Sequence, residues 1–349
     1  MKRRQTLGLI SSLILALMIS AAGGAVDQQS KMVRRRQVPA MYVFGDSTLD
    51  GRTSPGPTSP NHGIDLPGAA AAGKPIPTGR FSNGYNVADF VAKNLGFDKS
   101  PLAYLVLKAR DYLIPSTITR GVSYASAGAG ILDTTNAGDN IPLSQQVRLF
   151  ASTKAEMEAK VGPAAVSHLL SRPPSRRRRR RATWPPSTPA SSPTTRPPSR
   201  WASSTWAPWG ACRGPRVRVL NATGGCAEAL NQLAAGFDAA LRSLLAGGLA
   251  PALPELSYSI ADSYAFTTRT DPRAVGFVDA VSACCGGGRL GAQADCLPGA
   301  ALCADRDRYL FWDRVHPSQR AAMLSAQAYY DGSPQFTAPI TFKQLAADK

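Results

Sequence analysis

Three residues at opposite ends of the chain have the side-chain types needed for nucleophilic hydrolysis. Ser47 follows a short apolar run and a Gly-Asp pair, while Asp313 and His316 lie three residues apart near the other end. A serine hydroxyl is a weak nucleophile at neutral pH and needs a base that takes its proton as it attacks. His316 would be that base and then the acid for the leaving alcohol, while Asp313 would fix its tautomer and stabilise the imidazolium. The three residues therefore predict a Ser-His-Asp hydrolase in which Ser47 carries the acyl group.

Each of these signals has a simpler interpretation when it stands alone. A serine after a strand is commonly a turn residue or a helix N-cap, and Asp46 has the simpler role of capping the turn. An Asp-x-x-His pair often arises by chance, with the histidine on the surface. The catalytic interpretation becomes specific only when the two distant motifs are taken together.

The strands predicted near these residues would hold them at one edge of a sheet. An apolar strand over residues 41–44 ends in the tight turn of Ser47, which places the hydroxyl at the end of a parallel sheet. A second short strand within residues 122–132 opens into a turn of small residues, and another strand covers 258–262.

Helical patterns alternate with these strands along the chain. They cover residues 85–95, 145–165, 221–245 and 319–330. Ser82 or Asn83 is the predicted cap of the first helix. A Gly-, Pro- and Ser-rich loop over 51–79 is long enough to be functional.

Four short motifs resemble the plant secreted members of the GDSL esterase/lipase family, a branch of the SGNH hydrolases. They are FGDS at 44–47, RFSNG at 80–84, ASAGAG at 125–130 and WDRVHPS at 312–318. The resemblance, which covers 41–170 and 217–345, implies a three-layer α/β/α sandwich with a mostly parallel central sheet. It implies hydrolysis of carboxylic esters through an acyl-enzyme, with no metal and no cofactor. The implied partner is a small ester substrate, such as a lipid, an acetylated polysaccharide or another acyl ester, and loop 51–79 would shape its acyl pocket.

The resemblance also implies an oxyanion hole built from backbone N–H groups. One is that of Ser47, and another is that of Ala127 or Gly128; the family usually has glycine where Ala127 stands. A backbone donor requires only a suitable backbone angle and not a glycine. The family's third block, a strand followed by Gly-x-Asn-Asp, belongs between Leu170 and Val217, and that stretch of sequence contains no Gly-x-Asn-Asp. Because the loss of one oxyanion donor typically costs about 10²- to 10³-fold in rate, we expect an impaired esterase.

The positive charge of the chain is concentrated in two short stretches. Of the formal net charge of +17, three charges belong to residues 2–4 and ten to arginines within 172–213, which leaves +4 for the rest. The second stretch has no acidic residue and is rich in Pro and Ser, which is typical of a disordered insertion. An arginine-rich nucleic-acid arm is the other interpretation, but it conflicts with the export signal described below.

A shift of reading frame explains this stretch better. Back-translation of residues 184–195 with a shift of two nucleotides permits AALYASLISNYS, an amphipathic helix. The same shift over 201–213 permits GIINVGPVGCVPR, which looks like a buried strand with a Gly/Pro turn and resembles what the family carries before Val217. We therefore interpret 172–213 as translated out of frame, with the central sheet disrupted around it.

The beginning of the chain predicts export. Basic residues 2–4, an apolar run over 7–19 and small residues at 21–25 follow the order of a secretory signal peptide, which we assign to 1–25. The apolar run is too short to span a membrane, and we expect no other span. The remainder, 26–349, would form one hydrolase domain, extracellular and, by family resemblance, in the cell wall or apoplast.

The six cysteines and one sequon agree with an extracellular chain. We expect disulfides rather than zinc, because no CxxC pair has a second pair or histidines at finger spacing. Cys284, Cys285, Cys296 and Cys303 would form two bridges next to the catalytic turn, with the connectivity open. Cys226 resembles a partner for a cysteine in the preceding turn, where Cys212 lies inside the suspect frame. Asn221 begins a glycosylation sequon.

Two alternatives to an active esterase remain at this point. One is a secreted, non-catalytic relative that keeps the pocket and binds an ester or glycan ligand. The other is a basic nucleic-acid-binding protein, which the export signal disfavours, so we expect no nucleic-acid partner. Whether Ser47 can be acylated separates the first alternative from the enzyme.

Overall fold

A computed structural model describes residues 36–51, 79–170, 200–204, 228–254 and 256–347. These ranges all belong to one compact unit, which spans Arg36–Lys349. The predicted signal peptide 1–25, most of loop 51–79, the sequon at Asn221 and the Cys212–Cys226 bridge lie outside the described residues. Most of segment 172–213 also lies outside them.

The described strands are short, and none is longer than five residues. In chain order they are β1 Met41–Val43, β2 Gly121–Ser123, β3 Arg200–Ser204, β4 Ser257–Ala261, β5 Asp279–Ala283, β6 Cys285–Gly286, β7 Ala301–Leu302, β8 Tyr309–Phe311 and β9 Thr337–Ala338. β1 and β4 confirm the strands predicted at 41–44 and 258–262, and β2 confirms the one predicted within 122–132.

The helices occupy the intervals between these strands. They are α1 Val87–Asn94, α2 Tyr104–Ala109, α3 Leu113–Thr119, α4 Leu143–Val161, α5 Pro163–Leu170, α6 Glu228–Ser243, α7 Ala250–Ala252, α8 Ser263–Arg269, α9 Gln319–Asp331 and α10 Phe342–Ala347. A π-helical turn, Leu244–Leu249, joins α6 to α7. Short 3₁₀ turns lie at Arg289–Gly291, Arg306–Arg308 and Pro334–Phe336.

Three pairs of the described strands are parallel. β1 pairs with β2, β3 with β4 and β5 with β8, all in parallel. β9 pairs antiparallel with β4, and β6 pairs antiparallel with β7. Parallel neighbours require crossover connections, and helices supply them between β1 and β2 and between β3 and β4. The architecture is therefore α/β.

Local sequence explains where two helices begin and end. α1 begins at a capping box in which the Asn86 side chain accepts from the Asp89 N–H and the Asp89 side chain accepts from the Asn86 N–H. The predicted cap at Ser82 or Asn83 is therefore wrong. The predicted single helix over 145–165 is also wrong at Gly162, whose φ of +87° ends α4 before Pro163 begins α5.

Two hydrophobic clusters hold the site-bearing elements in place. In the first, Val91 of α1 and Leu95, which directly follows α1, pack with Ala326 and Tyr330 of α9 and with Phe342 of α10. The second is largely aromatic and lies beneath the β1–β2 pair; its members are Tyr42, Phe44, Tyr104, Leu107, Leu113, Val122, Tyr124 and Phe150. Within it the rings of Phe44 and Tyr124 are stacked with centroids 5.3 Å apart. The end of β1 is thus fixed from below by ring packing.

Five residues within segment 172–213 are part of a sheet. β3 runs parallel to β4, with Arg200 opposite Ser257 and Ser204 opposite Ala261. The strand expected from the shifted frame begins at Trp201, so backbone pairing occurs where that hypothesis places a strand. Disruption of the sheet by the rest of 172–213 remains a prediction.

Among the described residues, one helical stretch, Asn231–Ala252, is long and apolar enough to cross a membrane by length and composition. Such a signal is weak, because helices of water-soluble domains also meet it. The stretch includes Asp238, which is buried, and Arg242, whose guanidinium lies 2.6 Å from the carboxylate of Asp262 at the end of β4. One face of this helix is therefore bound to the folded unit.

Candidate active site

Ser47 lies in the turn that directly follows β1. The Asp46 carboxylate accepts hydrogen bonds from the Thr48 N–H at 2.9 Å and from the Thr48 hydroxyl at 2.7 Å, and the Leu49 N–H donates to the Asp46 carbonyl. Asp46 thus caps the turn, as its simpler interpretation predicts. The turn begins at Gly45, whose φ of +142° is rarely adopted by residues with a side chain. The strand end and the turn together present the Ser47 hydroxyl.

The structure brings the three predicted residues into one hydrogen-bonded chain. His316 Nε2 lies 2.7 Å from Ser47 Oγ. On the other side of the ring, Nδ1 lies 2.9 Å from Oδ1 and 2.8 Å from Oδ2 of Asp313. Asp313 and His316 are 5% and 7% exposed, so water screens their interaction little. This geometry allows the imidazole to accept the serine proton while the carboxylate binds the opposite N–H.

A tight turn accounts for the three-residue spacing of Asp313 and His316. Asp313 Oδ1 accepts from the Val315 N–H at 2.8 Å and from the His316 N–H at 2.7 Å, so the carboxylate itself builds the turn. The Trp312 N–H donates to the His316 carbonyl at 2.9 Å and closes it. α9 then begins at Gln319 with Ser318 as its N-cap. The carboxylate therefore both shapes the turn and orients the imidazole.

Two disulfides brace the strand that leads into this turn. They join Cys284 to Cys303 and Cys285 to Cys296. The Cys284 N–H donates to the Phe311 carbonyl at 3.1 Å, and the Cys285 N–H donates to the Trp312 carbonyl at 2.7 Å. The two predicted bridges next to the turn of Asp313 and His316 are confirmed, and the pairing left open by the sequence is Cys284–Cys303 with Cys285–Cys296. The bridged segment and the strand before Asp313 therefore form one hydrogen-bonded unit.

The RFSNG motif packs against the other side of the same turn. The Phe81 ring lies 5.0 Å from the His316 ring, centroid to centroid. The buried Asn83 side chain accepts from the Gln319 N–H at 2.7 Å, and Gln319 Oε1 accepts from the Tyr85 N–H at 2.8 Å. A side chain at Gly84 would place its Cβ 1.9 Å from Gln319 Oε1, so the Gln319 amide would have to move from its position beside the Tyr85 N–H. The motif thus fixes the start of α9, three residues after His316.

A buried ion pair anchors the RFSNG motif to α1. The Arg80 guanidinium makes two hydrogen bonds to the Asp89 carboxylate, at 2.6 and 3.0 Å, and Asp89 also accepts from the Ser100 hydroxyl and N–H. Burial alone would raise the pKa of Asp89, but the hydrogen bonds from Arg80 and Ser100 outweigh it and hold that pKa below its usual range. Burial likewise opposes the charge on Arg80, but its pairing with Asp89 leaves the pKa of Arg80 raised.

Besides Ser47, the predicted oxyanion donors are Ala127 and Gly128, which lie in the turn after β2. The Ala127 N–H donates to the buried Asp50 carboxylate at 2.9 Å, and the Ser126 N–H donates to the Gly45 carbonyl at 3.0 Å. Gly128 has a φ of +79°, and its carbonyl accepts from the side chains of Asn136 and Asn140. The bond to Asp50 competes with an oxyanion role for Ala127. Of the two predicted positions, Gly128 is therefore the more suitable donor.

Sequence analysis missed two buried polar residues that touch these turns. Asp50 binds the Ala127 N–H, and its carbonyl accepts from Asn86 at the start of α1. Gln146 binds the backbone of Gly45 and lies on the buried face of α4 with Phe150, Thr153 and Met157. The sequence does contain a signal for the burial of Gln146, because this glutamine falls on the apolar face of an amphipathic helix. For Asp50, nothing local in the sequence identifies its partner 77 residues away.

Comparison with known proteins decides the family. A family model described as GDSL-like Lipase/Acylhydrolase matches residues 41–171. The protein named GDSL esterase/lipase At5g55050, from Arabidopsis thaliana, is 31% identical over 89% of this chain and 90% of its own length. The chain belongs to the GDSL esterase/lipase family. GDSL esterase/lipase At1g71250, from the same plant, is 29% identical over 95% of this chain and 95% of its own length. GDSL esterase/lipase At1g29660, also from that plant, is 30% identical over 90% of this chain and 93% of its own length.

Membership in the GDSL esterase/lipase family confirms the resemblance found in the four short motifs. It establishes a hydrolase that acts on ester bonds, with an α/β fold. The matched region begins at β1 and ends just after α5, and so includes Ser47, the RFSNG motif and the Ser126–Gly128 turn. The relatives extend the match over His316 and Asp313.

Proposed function

We propose that this chain is a secreted carboxylic-ester hydrolase with Ser47, His316 and Asp313 as its catalytic triad. The observation that carries the proposal is the continuous hydrogen-bonded chain from Ser47 Oγ through the imidazole to the Asp313 carboxylate. A serine, a base and a group that orients the base within hydrogen-bond reach of one another are the signature of an activated nucleophile. The family's ester chemistry supplies the reaction class.

In the proposed acylation step, Ser47 Oγ attacks the ester carbonyl carbon while His316 Nε2 takes the hydroxyl proton. The tetrahedral intermediate places negative charge on the former carbonyl oxygen. The backbone N–H groups of Ser47 and Gly128 would donate to that oxygen, and Ala127 would contribute only if it released Asp50. Cleavage of the ester C–O bond follows, and His316 passes its proton to the departing alcohol.

In the proposed deacylation step, His316 takes a proton from water, and the resulting hydroxide attacks the acyl-serine carbonyl. The second tetrahedral intermediate breaks its bond to Ser47 Oγ, which recovers the proton from His316. The acid leaves, and the free serine is restored. Asp313 stays ionised in both steps and stabilises the imidazolium. The cycle needs no metal and no cofactor.

The setting of this chemistry is part of the proposal. A single domain over 26–349, exported by a signal peptide at 1–25, would form a three-layer sandwich around a mostly parallel sheet. The three parallel strand pairs support that arrangement. The substrate would be a lipid, an acetylated polysaccharide or another acyl ester in the cell wall or apoplast. Two disulfides beside the site agree with an oxidising compartment.

Hydrolysis of p-nitrophenyl esters of increasing acyl length tests this function. The purified secreted chain should release p-nitrophenol, and Ser47→Ala should abolish release above background. Ser333→Ala, a change at an exposed serine, is the matched control and should keep full activity. Equal rates for the chain and Ser47→Ala would refute the triad.

One sequence observation favours a second candidate, a non-catalytic relative that binds an ester or glycan ligand. No Gly-x-Asn-Asp lies between Leu170 and Val217, so the asparagine that would donate to the oxyanion is missing. Removal of one such donor costs about 10²- to 10³-fold, which leaves a weak enzyme rather than none. A folded chain that hydrolyses no ester but binds one would establish this candidate.

We further propose that segment 172–213 is translated out of frame. The support is the restored helix and strand patterns at a single offset, together with the run of arginines without acids. Sequencing of the transcript tests this: we expect an inserted or deleted nucleotide near each end of the segment. A transcript that encodes residues 172–213 in one uninterrupted frame would rule out an error in the gene model. A real frameshift in the gene would then be tested by restoration of the frame, which should raise esterase activity.

A further inference from the structure

We propose that Gln146 is a positioning residue for the nucleophile, because it holds the turn of Ser47 through the backbone of Gly45. The inference rests on the proposed function of Ser47. The Gly45 N–H donates to Gln146 Oε1 at 2.9 Å, and Gln146 Nε2 donates back to the Gly45 carbonyl at 2.9 Å. The same Nε2 also donates to the Ile141 carbonyl at 2.8 Å.

The Gln146 side-chain amide pairs with Gly45 where the peptide group of a neighbouring strand would otherwise do so. Ladder bonds between β1 and β2 continue past both strands, from the Tyr124 N–H to the Val43 carbonyl and from the Ser126 N–H to the Gly45 carbonyl. The next N–H of the first strand, that of Gly45, donates to Gln146 instead. A carboxamide offers the same donor and acceptor as a peptide group, so Gln146 pairs with Gly45 as a neighbouring strand would.

Several features make this clamp rigid. Gln146 is fully buried, at 0% exposure, and its Oε1 and both Nε2 hydrogens have partners. It lies in the first turn of the 19-residue helix α4, which packs through Phe150 against the aromatic rings beneath β1. Gly45 lacks a side chain that could hold the turn from its own position. Gln146 therefore holds the start of the turn together with the Ser126 N–H, which donates to the Gly45 carbonyl.

The position of this turn decides whether Ser47 reaches its base. Ser47 is two residues beyond Gly45, and its hydroxyl lies 2.7 Å from His316 Nε2. Misplacement of a reacting group by about 1 Å can cost about 10²-fold in rate. Loosening of the clamp should therefore lower kcat, while KM should change little, because Gln146 is fully buried and acts on the ester only through the position of Ser47.

Gln146→Glu tests the clamp with little change of shape. The introduced carboxylate still accepts from the Gly45 N–H but cannot donate to the Gly45 or Ile141 carbonyls, and it repels both. Gln145→Glu is a matched control, because Gln145 is the neighbouring, exposed residue of the same helix. We expect kcat to fall about 10²-fold in Gln146→Glu with KM little changed, and both constants to be unchanged in Gln145→Glu. All proteins are compared at a temperature where circular dichroism shows them folded.

A pH profile separates positioning from a general loss of structure. When protonated, the introduced carboxyl regains one donor and can pair again with both backbone groups of Gly45. A buried carboxyl takes up its proton at a higher pH than an exposed one. The ratio of kcat in Gln146→Glu to kcat in wild type, measured at the same pH, should therefore rise as the pH is lowered from about 8 to about 5.

Each outcome of this experiment has a distinct meaning. A kcat in Gln146→Glu within about threefold of the control overturns the role of Gln146 while the proposed function stands. A large loss with a ratio that does not change with pH also overturns it. If Gln146→Glu does not fold, Gln146→Asn retains the amide but withdraws it from Gly45 by one methylene, and the same fall in kcat is expected. Wild type and Gln145→Glu both without hydrolysis would overturn the proposed function itself.

Discussion

Asp313→Asn tests the proposed role of the carboxylate most sharply, because the structure determines how the new amide must be oriented. Asp313 Oδ1 accepts from the N–H groups of Val315 and His316, so that position has to remain an oxygen. The amide nitrogen then takes the place of Oδ2, 2.8 Å from His316 Nδ1. An N–H that points at Nδ1 forces the imidazole proton onto Nε2, which faces Ser47 Oγ. The base can then no longer accept the serine proton.

The expected loss follows from this change of tautomer. In Ser-His-Asp enzymes it is about 10⁴-fold in kcat, which corresponds to about 5 kcal/mol of transition-state stabilisation. Stability should change little, because the turn keeps its acceptor and a nearly buried charge becomes neutral. The assay is p-nitrophenyl ester hydrolysis with parallel thermal melts. Asp307→Asn, at an exposed position of the loop before β8, is the control. A loss below about tenfold in Asp313→Asn with the fold intact would refute the reasoning.

Three further predictions concern the supports of the site. Asp89→Asn leaves Arg80 buried without its counter-ion and should lower the free energy of unfolding by about 3–5 kcal/mol in urea titrations; exposed Asp98→Asn should not. The pKa of Asp89 is lowered in the folded chain, so its contribution to stability should be intact above the unfolded pKa of about 4 and lost as the pH falls through the folded pKa. The melting temperatures of wild type and Asp89→Asn should therefore converge in acid. A difference that stays constant with pH would contradict a stabilising Arg80–Asp89 ion pair. Asn83→Ala removes the acceptor of the Gln319 N–H and should lower kcat with KM little changed, whereas Gln327→Ala, at an exposed position of α9, should leave both constants unchanged; an unchanged kcat in Asn83→Ala would rule out a positioning role. Reduction of the two disulfides, verified by thiol titration, should lower both the melting temperature and the esterase activity. Full activity of the reduced chain would show that the bridges do not support the turn.

The hydrogen-bonded arrangement of Ser47, His316 and Asp313 was predictable because each of its two motifs is local in the sequence. The strand-turn at Ser47 and the Asp-x-x-His turn are each built by residues within three positions of one another, as the bonds of Asp46 and Asp313 show. The disulfides were predictable in number but not in connectivity, since adjacent cysteines can exchange partners without a change in the pattern.

The supports of the site were not predictable, because they join side chains to backbone groups far along the chain. Asp50 bonds to Ala127, 77 residues away, and Gln146 bonds to Gly45, 101 residues away. Hydrophobic periodicity reports which face of a helix is buried but not which backbone group that face meets. Asn83 illustrates the same limit: its position predicts a local helix cap, but its side chain accepts from the Gln319 N–H at the start of α9. The helix break at Gly162-Pro163 has a local signal, the Gly-Pro pair itself, but the apolar periodicity continues across this pair and predicts a single helix.

Labelling with a serine-directed fluorophosphonate tests the central claim most directly, because only an activated serine reacts. The purified chain should gain one adduct, and mass spectrometry should place it on Ser47, with no adduct in Ser47→Ala. The rate of labelling should fall when His316 is replaced by alanine, since its Nε2 lies 2.7 Å from the hydroxyl. A folded chain that gains no adduct, or an adduct on another serine, would contradict the proposal that Ser47, His316 and Asp313 form a working triad.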